Sequence, residues 1–536
     1  MTEALLNSMT LEEKIGQMIM VGFEDQSLTS ELESHLNRFH IGNVIYLGRN
    51  ISNNVQLWAF NRDLQRMAAR RRVPIGMLTS IDQEGGIVAR LLRGVSVFPG
   101  NMALGATGSA DYARRASEVM AREMLELGLN MNLAPVLDVN NNPDNPAIGV
   151  RSYGEDAGLV SALGTAAIEG SQSAGVMATA KHFPGKGDVT IDSHIDLPRV
   201  PHGRDRLNRV ELVPFKAAIA AGVGAIMTAH VTFPAIEPEP LLPATMSRNV
   251  LTGLLRDELG FDGVIITDDL FMGAISKSYG LAEAAIRSII AGADIALMCH
   301  NPHEQPAAIQ AVVEAARSGR IPPERIESSV RRVLEAKARF GILEPLISEA
   351  EPQGVGSPAN RSLALEIARK AISVVQNEHG IVPFDLSRGR NVLVVSPDIK
   401  SLTMVEDTES HGSPLAKAVR AIVPDAQDIS ISQSPSDEEI DKAVASAAGR
   451  DLVIAGTHNG HLYSRQAMMV HRLAQAGAPI VVVGMRNPYD VKDFADVGTY
   501  IAAYSFRDCS MQAAAEVIFG SVVPSGVIPV TVPGLG

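Results

Sequence analysis

The sequence predicts a (β/α)8 TIM-type barrel followed by a smaller three-layer α/β domain. Three observations carry this reading. Over about the first 340 residues, eight apolar runs of strand length alternate with helical patterns. The titratable residues of that region fall just after the runs, where a barrel gathers its strand ends on one face. A loose Pro/Gly/Ser stretch, residues 344–359, then separates them from a second apolar series. At 536 residues the chain is too long for one ordinary domain and suits two or three.

Thr10 opens the first helix, with Glu13 three residues later completing a capping box. The strand candidates follow at 18–23, 44–47, 75–81, 129–134, 176–180, 225–228, 264–267 and 295–298. Helical patterns lie between them, at 112–127, 209–221 and 282–291 for example. Periodicity does not prove closure, so a doubly wound open sheet is the alternative. A last helix at 331–340 ends at Gly341. The predicted division is 1–345 for the barrel, 346–360 for a linker and 361–536 for the second domain. There, a helix over 361–375 leads to apolar runs at 392–395, 452–455, 480–484 and 500–503. Helices are expected at 437–448 and 464–476, and the tail V-I-P-V-T-V-P reads as a short strand punctuated by proline.

Composition narrows the function. Hydrophobic residues are 46 % and charged residues 20 %, the profile of a globular protein with a full core. The net charge of −13 and the scattered Lys and Arg argue against a nucleic-acid partner. Cys299 and Cys509 are the two cysteines, so neither a disulfide framework nor a cysteine-based metal site is expected. No apolar run is long enough to span a membrane, and no leader pattern opens the chain. A cytoplasmic enzyme, monomer or homodimer, is the expectation.

The densest stretch is K-H-F-P-G-K-G-D-V-T-I-D-S-H, residues 181–194. Asp192 stands two residues before His194, where a carboxylate can orient the ring through one nitrogen and leave the other for proton transfer. Asp268 and Asp269 stand where an apolar strand meets polar residues; one can face a pocket while the other is structural. The run I-D-Q-E-G-G-I-V-A-R-L (81–91) puts Asp82 and Glu84 at a strand end, with Arg90 as a hydrogen-bonding fork. Arg151 sits in a long polar loop, and a surface pairing with Glu155 or Asp156 is its plainer reading. His230, after M-T-A, reads as a core histidine by its context and is kept among the substrate-binding candidates. The Gly-rich pieces lack phosphate-loop spacing.

Together, D-Q-E-G-G-I-V-A-R-L, R-S-Y-G-E-D, K-H-F-P-G-K-G-D with D-S-H, and T-D-D-L-F-M resemble glycoside hydrolase family 3. Within it they resemble the NagZ-like β-N-acetylglucosaminidase branch, for which D-S-H is the specific mark. The second domain resembles the family's C-terminal α/β sandwich, so the likeness covers nearly the whole chain. It implies that Asp268 is the nucleophile and His194 the general acid/base, with Asp192 as its dyad partner. It implies that Asp82, Arg90, Arg151, Lys181 and His182 bind an N-acetylglucosamine ring, with no metal or organic cofactor. Lys186 departs from the His or Arg of many relatives and is expected outside the catalytic core. The implied activity is exo-acting retaining removal of terminal N-acetylglucosamine from peptidoglycan fragments or chitin oligosaccharides. A phosphorylase, a β-glucosidase and a non-catalytic sugar-binding protein are the alternatives. The second domain is expected to give structural support, although its loops at 406–412 and 457–461 could reach the pocket. The P-G-K-G segment is read as a flexible joint that lets His194 move.

Overall fold

The computed structural model describes residues 2–399, 401, 406 and 412–534. Its first sheet contains β1 (Ile19–Val21), β2 (Asn43–Tyr46) and β3 (Leu78–Ile81), then a short antiparallel hairpin of β4 (Gln83–Gly85) and β5 (Val88–Ala89) inserted after β3. The sheet continues with β6 (Met131–Asn132), β7 (Met177–Phe183), β8 (Ala225–Thr228), β9 (Val264–Ile266) and β10 (Ala296–Met298). Each of the eight expected runs overlaps one strand of this parallel sheet, in the order β10-β1-β2-β3-β6-β7-β8-β9. A bridge from Ile266 to Ile295 joins the two ends. The sheet is therefore a closed barrel, and the open-sheet alternative is set aside.

Closure follows from side-chain alternation. Met20, Ile45, Leu78, Met131, Met177, Met227, Ile266, Leu297 and Cys299 belong to one buried cluster inside the barrel. Their strand neighbours, such as Ile19, Val21 and Val44, pack outward on the helices. Period-two alternation thus supplies two apolar faces, one for the barrel interior and one for the helical shell. The methionines fill the narrow interior, as unbranched side chains do where the space is irregular. Thr10 caps its helix and pairs with Glu13 in a capping box, as its spacing predicts.

The second sheet holds β11 (Ser373–Asn377), β12 (Val392–Pro397), β13 (Gln427–Ile431), β14 (Leu452–Thr457), β15 (Ile480–Gly484) and β16 (Thr499–Ala502). Its order is β11-β16-β15-β14-β12-β13, with β11 antiparallel to β16 and the other pairs parallel. Two of these strands have no counterpart among the expected runs. The preceding helix ends at Ala371, and residues 373–375, expected within it, begin β11. Edge strand β13 is largely exposed, so Q-D-I-S-I needs no apolar run to pair with β12. The tail is not a strand. Pro529 and Pro533 remove two donors, and the chain instead passes between the domains. Val527 N–H donates to the Ala106 carbonyl (2.9 Å), and Glu155 N–H donates to the Pro529 carbonyl (3.1 Å).

The two domains share a core. Ile87, Val88, Met102, Ala103, Ala106 and Val150 of the first belong to the same buried cluster as the second sheet's side chains. The hairpin and the 148–151 segment thus rest on the second domain. This matters because both carry residues of the site.

Candidate active site

A cavity of about 290 Å³ opens at the C-terminal ends of the barrel strands. Asp82 follows β3, Lys181 and His182 end β7, and Asp268 follows β9. All four line the cavity, together with Arg90, Arg151, Lys186 and His194. The parallel sheet makes this convergence unavoidable, since every strand delivers its last residues to the same face.

One wall is a buried charge network. Lys181 Nζ donates to Asp82 Oδ1 (2.7 Å) and lies 2.7 Å from Glu84 Oε1. Arg151 meets Glu84 in a two-pronged contact, Nε to Oε2 at 2.9 Å and Nη2 to Oε1 at 2.7 Å. Arg90 Nη2 donates to Asp82 Oδ2 at 3.5 Å. Burial opposes ionisation of Asp82, but Lys181 and Arg90 outweigh it and hold the carboxyl down to about 2. Glu84 is held below the ordinary range in the same way, by Arg151 and then Lys181 acting against burial. The surface pairing considered for Arg151 is absent. Asp156 instead caps the helix Ala157–Ser173 through Leu159 N–H (2.7 Å), and Glu155 accepts from Thr531 Oγ1 (2.5 Å).

The second wall carries the 181–194 stretch. His182 Nδ1 lies 2.7 Å from Asp138 Oδ2, and Lys186 N–H donates to Asp138 Oδ1 (2.6 Å). Burial, with the cations Lys186, Arg151 and Lys181 nearby, pushes the His182 ring well below its usual value, so it is neutral at pH 7. His194 Nδ1 meets Asp192 Oδ1 at 2.7 Å, which leaves Nε2 for the cavity. Burial works against ionisation of Asp192, but its hydrogen bond with His194 prevails and holds it at about 2. The arm is docked on the helix Gly273–Ser276, where Gly273 N–H donates to the His194 carbonyl (3.2 Å) and Ala274 N–H to the Ser193 carbonyl (3.1 Å). A Cβ at position 273 would come within 2.6 Å of the His194 carbonyl oxygen, so glycine is required there.

Two expectations for this stretch are corrected. Lys186 is buried, and its Nζ lies 3.7 Å from Asp268 Oδ2, inside the cavity rather than outside the core. Pro184–Gly187 is not a free joint either. It is buried, and Asn145 Nδ2 donates to both the Lys186 and Gly187 carbonyls at 2.9 Å. Asp268 stands 16 % exposed in the cavity. Burial pushes its carboxyl up, but Lys186 prevails and keeps it below the ordinary carboxylate range.

Residues 10–336 match the glycosyl hydrolase family 3 N-terminal domain, and residues 372–534 match its C-terminal domain. This chain belongs to glycosyl hydrolase family 3. It is 32 % identical to β-hexosaminidase A of Pseudoalteromonas piscicida over 94 % of this chain and 92 % of that protein. It is 29 % identical to a β-N-acetylglucosaminidase/β-glucosidase of Cellulomonas fimi over 85 % and 84 %. The solved family 3 β-N-acetylglucosaminidase of Paenibacillus sp. str. FPU-7 superposes with a TM-score of 0.93 at 41 % identity, covering 98 % of this chain and 99 % of that one.

In this family 3 hydrolase, His230 does not reach the cavity. It is fully buried, with Nδ1 on Thr245 Oγ1 (2.8 Å) and Nε2 on the Asp269 carbonyl (2.9 Å). Both ring nitrogens are spent on protein, so the geometry corrects its place among substrate-binding candidates and fits the core reading. Asp192 also stays off the cavity wall and meets the His194 ring instead.

Sequence reasoning missed how the hydrolase uses its second domain. Among the described residues, none of that domain lines the cavity. Most of the 406–412 loop lies outside the described residues, and His461 in the 457–461 loop pairs with Asp490 (2.8 Å) inside its own domain. The second domain acts on backbone instead. Asn487 Oδ1 accepts from Val150 N–H (2.9 Å), beside Arg151. Asn140, which holds Gly149 N–H (3.1 Å), donates to Tyr489 Oη (2.8 Å). Arg507 Nε donates to the Gly86 carbonyl (2.6 Å), two residues past Glu84. No motif spacing announces such contacts, because the partners lie more than 300 residues apart. Asn487→Ala is expected to raise KM about tenfold with a smaller fall in kcat, the effect of one lost buried hydrogen bond. Asn487→Asp keeps the acceptor and restores most of the loss, which steady-state kinetics of the two variants checks.

Proposed function

We propose that this hydrolase is an exo-acting retaining β-N-acetylglucosaminidase that releases terminal N-acetylglucosamine from peptidoglycan fragments or chitin oligosaccharides. The observation that carries the proposal is that the Asp192-oriented His194 and an ionised Asp268 share one cavity. The likeness to named β-hexosaminidases and to the Paenibacillus β-N-acetylglucosaminidase supports the sugar class.

In the first step an Asp268 oxygen attacks the anomeric carbon and the glycosidic C–O bond breaks. His194 passes its Nε2 proton to the departing oxygen. In the second step His194 takes a proton from water, whose oxygen attacks the same carbon and frees Asp268. Two inversions give net retention. Lys181, Arg90 and Asp82 offer donors and an acceptor to adjacent sugar hydroxyls, while neutral His182 presents its unprotonated Nε2 to another. Arg151 keeps this wall in register through Glu84.

The proposal is tested with aryl N-acetyl-β-glucosaminide and aryl β-glucoside side by side, following the first-formed anomer by NMR. Preferred turnover of the N-acetylated substrate with the β-anomer appearing first supports it; preference for the plain glucoside or first release of the α-anomer sinks it. Added phosphate separates hydrolysis from phosphorolysis, since sugar 1-phosphate forms only in the latter. His194→Ala is expected to lose on the order of 10³-fold with unactivated disaccharides and far less with a p-nitrophenyl leaving group, which needs no proton. Equal losses on the two substrates would count against an acid role.

A further inference from the structure

We propose that Asp269, Cys299 and His300 form a binding site for zinc-class divalent cations on the wall of the active-site cavity, and that occupancy of this site inhibits the enzyme. Two distant cysteines make a cysteine-rich metal motif impossible, but the barrel assembles a mixed one. Cys299 and His300 follow β10, and Asp269 follows the neighbouring strand β9. One ligand atom from each lies within 4.8 Å of the others. His300 Nδ1 is 2.5 Å from Asp269 Oδ2 and 3.1 Å from Cys299 Sγ.

The Asp269 carboxylate is already aimed. Its Oδ1 accepts from the Cys299 N–H (3.0 Å) and the Phe271 N–H (3.4 Å), and Oδ2 is turned to His300. Cys299 is only 4 % exposed and stays put in the barrel's inner cluster, while the His300 side chain is 41 % exposed and can shift. A tetrahedral zinc ion needs neighbouring donors about 3.4–3.6 Å apart. Insertion therefore asks His300 to withdraw by about 1 Å or less, with the buried pair as anchor. Sulfur, nitrogen and oxygen together favour zinc-class ions over magnesium or calcium, which take oxygen sets.

Three protein ligands leave one coordination position open. All three residues line the cavity with Asp268, so that position faces the space a sugar ring needs. Binding replaces the Nδ1···Oδ2 hydrogen bond and releases the thiol proton and any surplus ring proton to solvent. The ion is not part of turnover; it and the substrate exclude each other. The inference does not depend on which sugar the enzyme prefers.

The test uses the full chain, zinc chloride and cadmium chloride. Calorimetry is expected to show one zinc per chain, and kinetics a rise in KM at constant kcat that EDTA reverses. Cadmium is expected to produce the ultraviolet charge-transfer band of a bound thiolate. Cys299→Ser should abolish that band, and both Cys299→Ser and His300→Ala should weaken zinc at least about tenfold, since even outer-shell losses cost that much. His300→Ala alters a half-exposed side chain, so its melting temperature serves as the folding control. No cadmium band in the unaltered enzyme, zinc affinity unchanged in both variants, or inhibition that lowers kcat at constant KM would each overturn the proposal.

Discussion

Asp268→Asn is expected to lower kcat by on the order of 10⁴-fold or more while leaving the fold intact. The amide keeps the shape of the carboxylate but offers no anionic oxygen to the anomeric carbon. The substitution leaves Lys186 Nζ without the carboxylate 3.7 Å away. Burial already pushes that ammonium below its usual value, and the Asp138 and Asp192 carboxylates remain nearby as counter-charges. The melting temperature should therefore barely move while turnover collapses. The acid limb of the wild-type rate profile tests the same electrostatics. With its carboxyl held low by Lys186 against burial, Asp268 stays ionised below the ordinary carboxylate range. The loss of activity due to its protonation should therefore set in at lower pH than it would for an ordinary carboxylate. Near-normal turnover by Asp268→Asn on an aryl N-acetyl-β-glucosaminide would remove Asp268 as nucleophile.

Glu84→Gln is expected to cost about 3–5 kcal/mol of stability. The Glu84 side chain is 1 % exposed, and its two oxygens meet Arg151 and Lys181. Lys181 would still have Asp82 at 2.7 Å, but Arg151 cannot lose its proton and would keep a buried charge with no carboxylate bonded to it, only Asp82 and Asp138 nearby. Thermal unfolding measures the loss, and a raised KM should accompany it because Arg151 lines the cavity. The sign with pH follows from the depressed carboxyls. Asp82 is held at about 2 when folded and returns to the ordinary value near 4 when unfolded. Its contribution is complete above about pH 4 and is lost as pH falls toward 2. Glu84, also depressed, adds to that acid loss. The variant should thus lose less stability than the wild type over the same window, having lost the Glu84 part at every pH. A variant as stable as the wild type at neutral pH would show that the network is not held by Glu84.

The eight barrel strands were legible because each is a buried run flanked by turn chemistry, and buried parallel strands write themselves as continuous apolar residues. Strand β13 was not, because an exposed edge strand needs no such run. The tail read as a strand because alternate valines fit one, yet its prolines remove two ladder donors and its remaining backbone bonds go to single partners such as Ala106 and Glu155. Candidates at strand ends, Asp82, Lys181, His182 and Asp268, were legible by position, and Asp192 with His194 by local spacing. Lys186 was misplaced because nothing local tells that the chain after β7 folds back over Asp268. Arg151 was offered two nearby acids and took a third 67 residues upstream, where burial makes a two-pronged pairing worth more than a surface one.

By itself, then, the sequence determined the layers, the chain order of the eight barrel strands and the residue types at their ends, because these rest on periodicities of two and 3.6 residues. Tertiary structure alone decided which of those residues meet. Closure of Ile266 on Ile295 set the β9 and β10 ends side by side and so joined Asp269 to Cys299 and His300. Docking of the second domain placed Asn487 under Val150 and Arg507 under Gly86. Such pairings depend on the curvature of the sheet and on the packing of two cores, and a one-dimensional pattern carries neither.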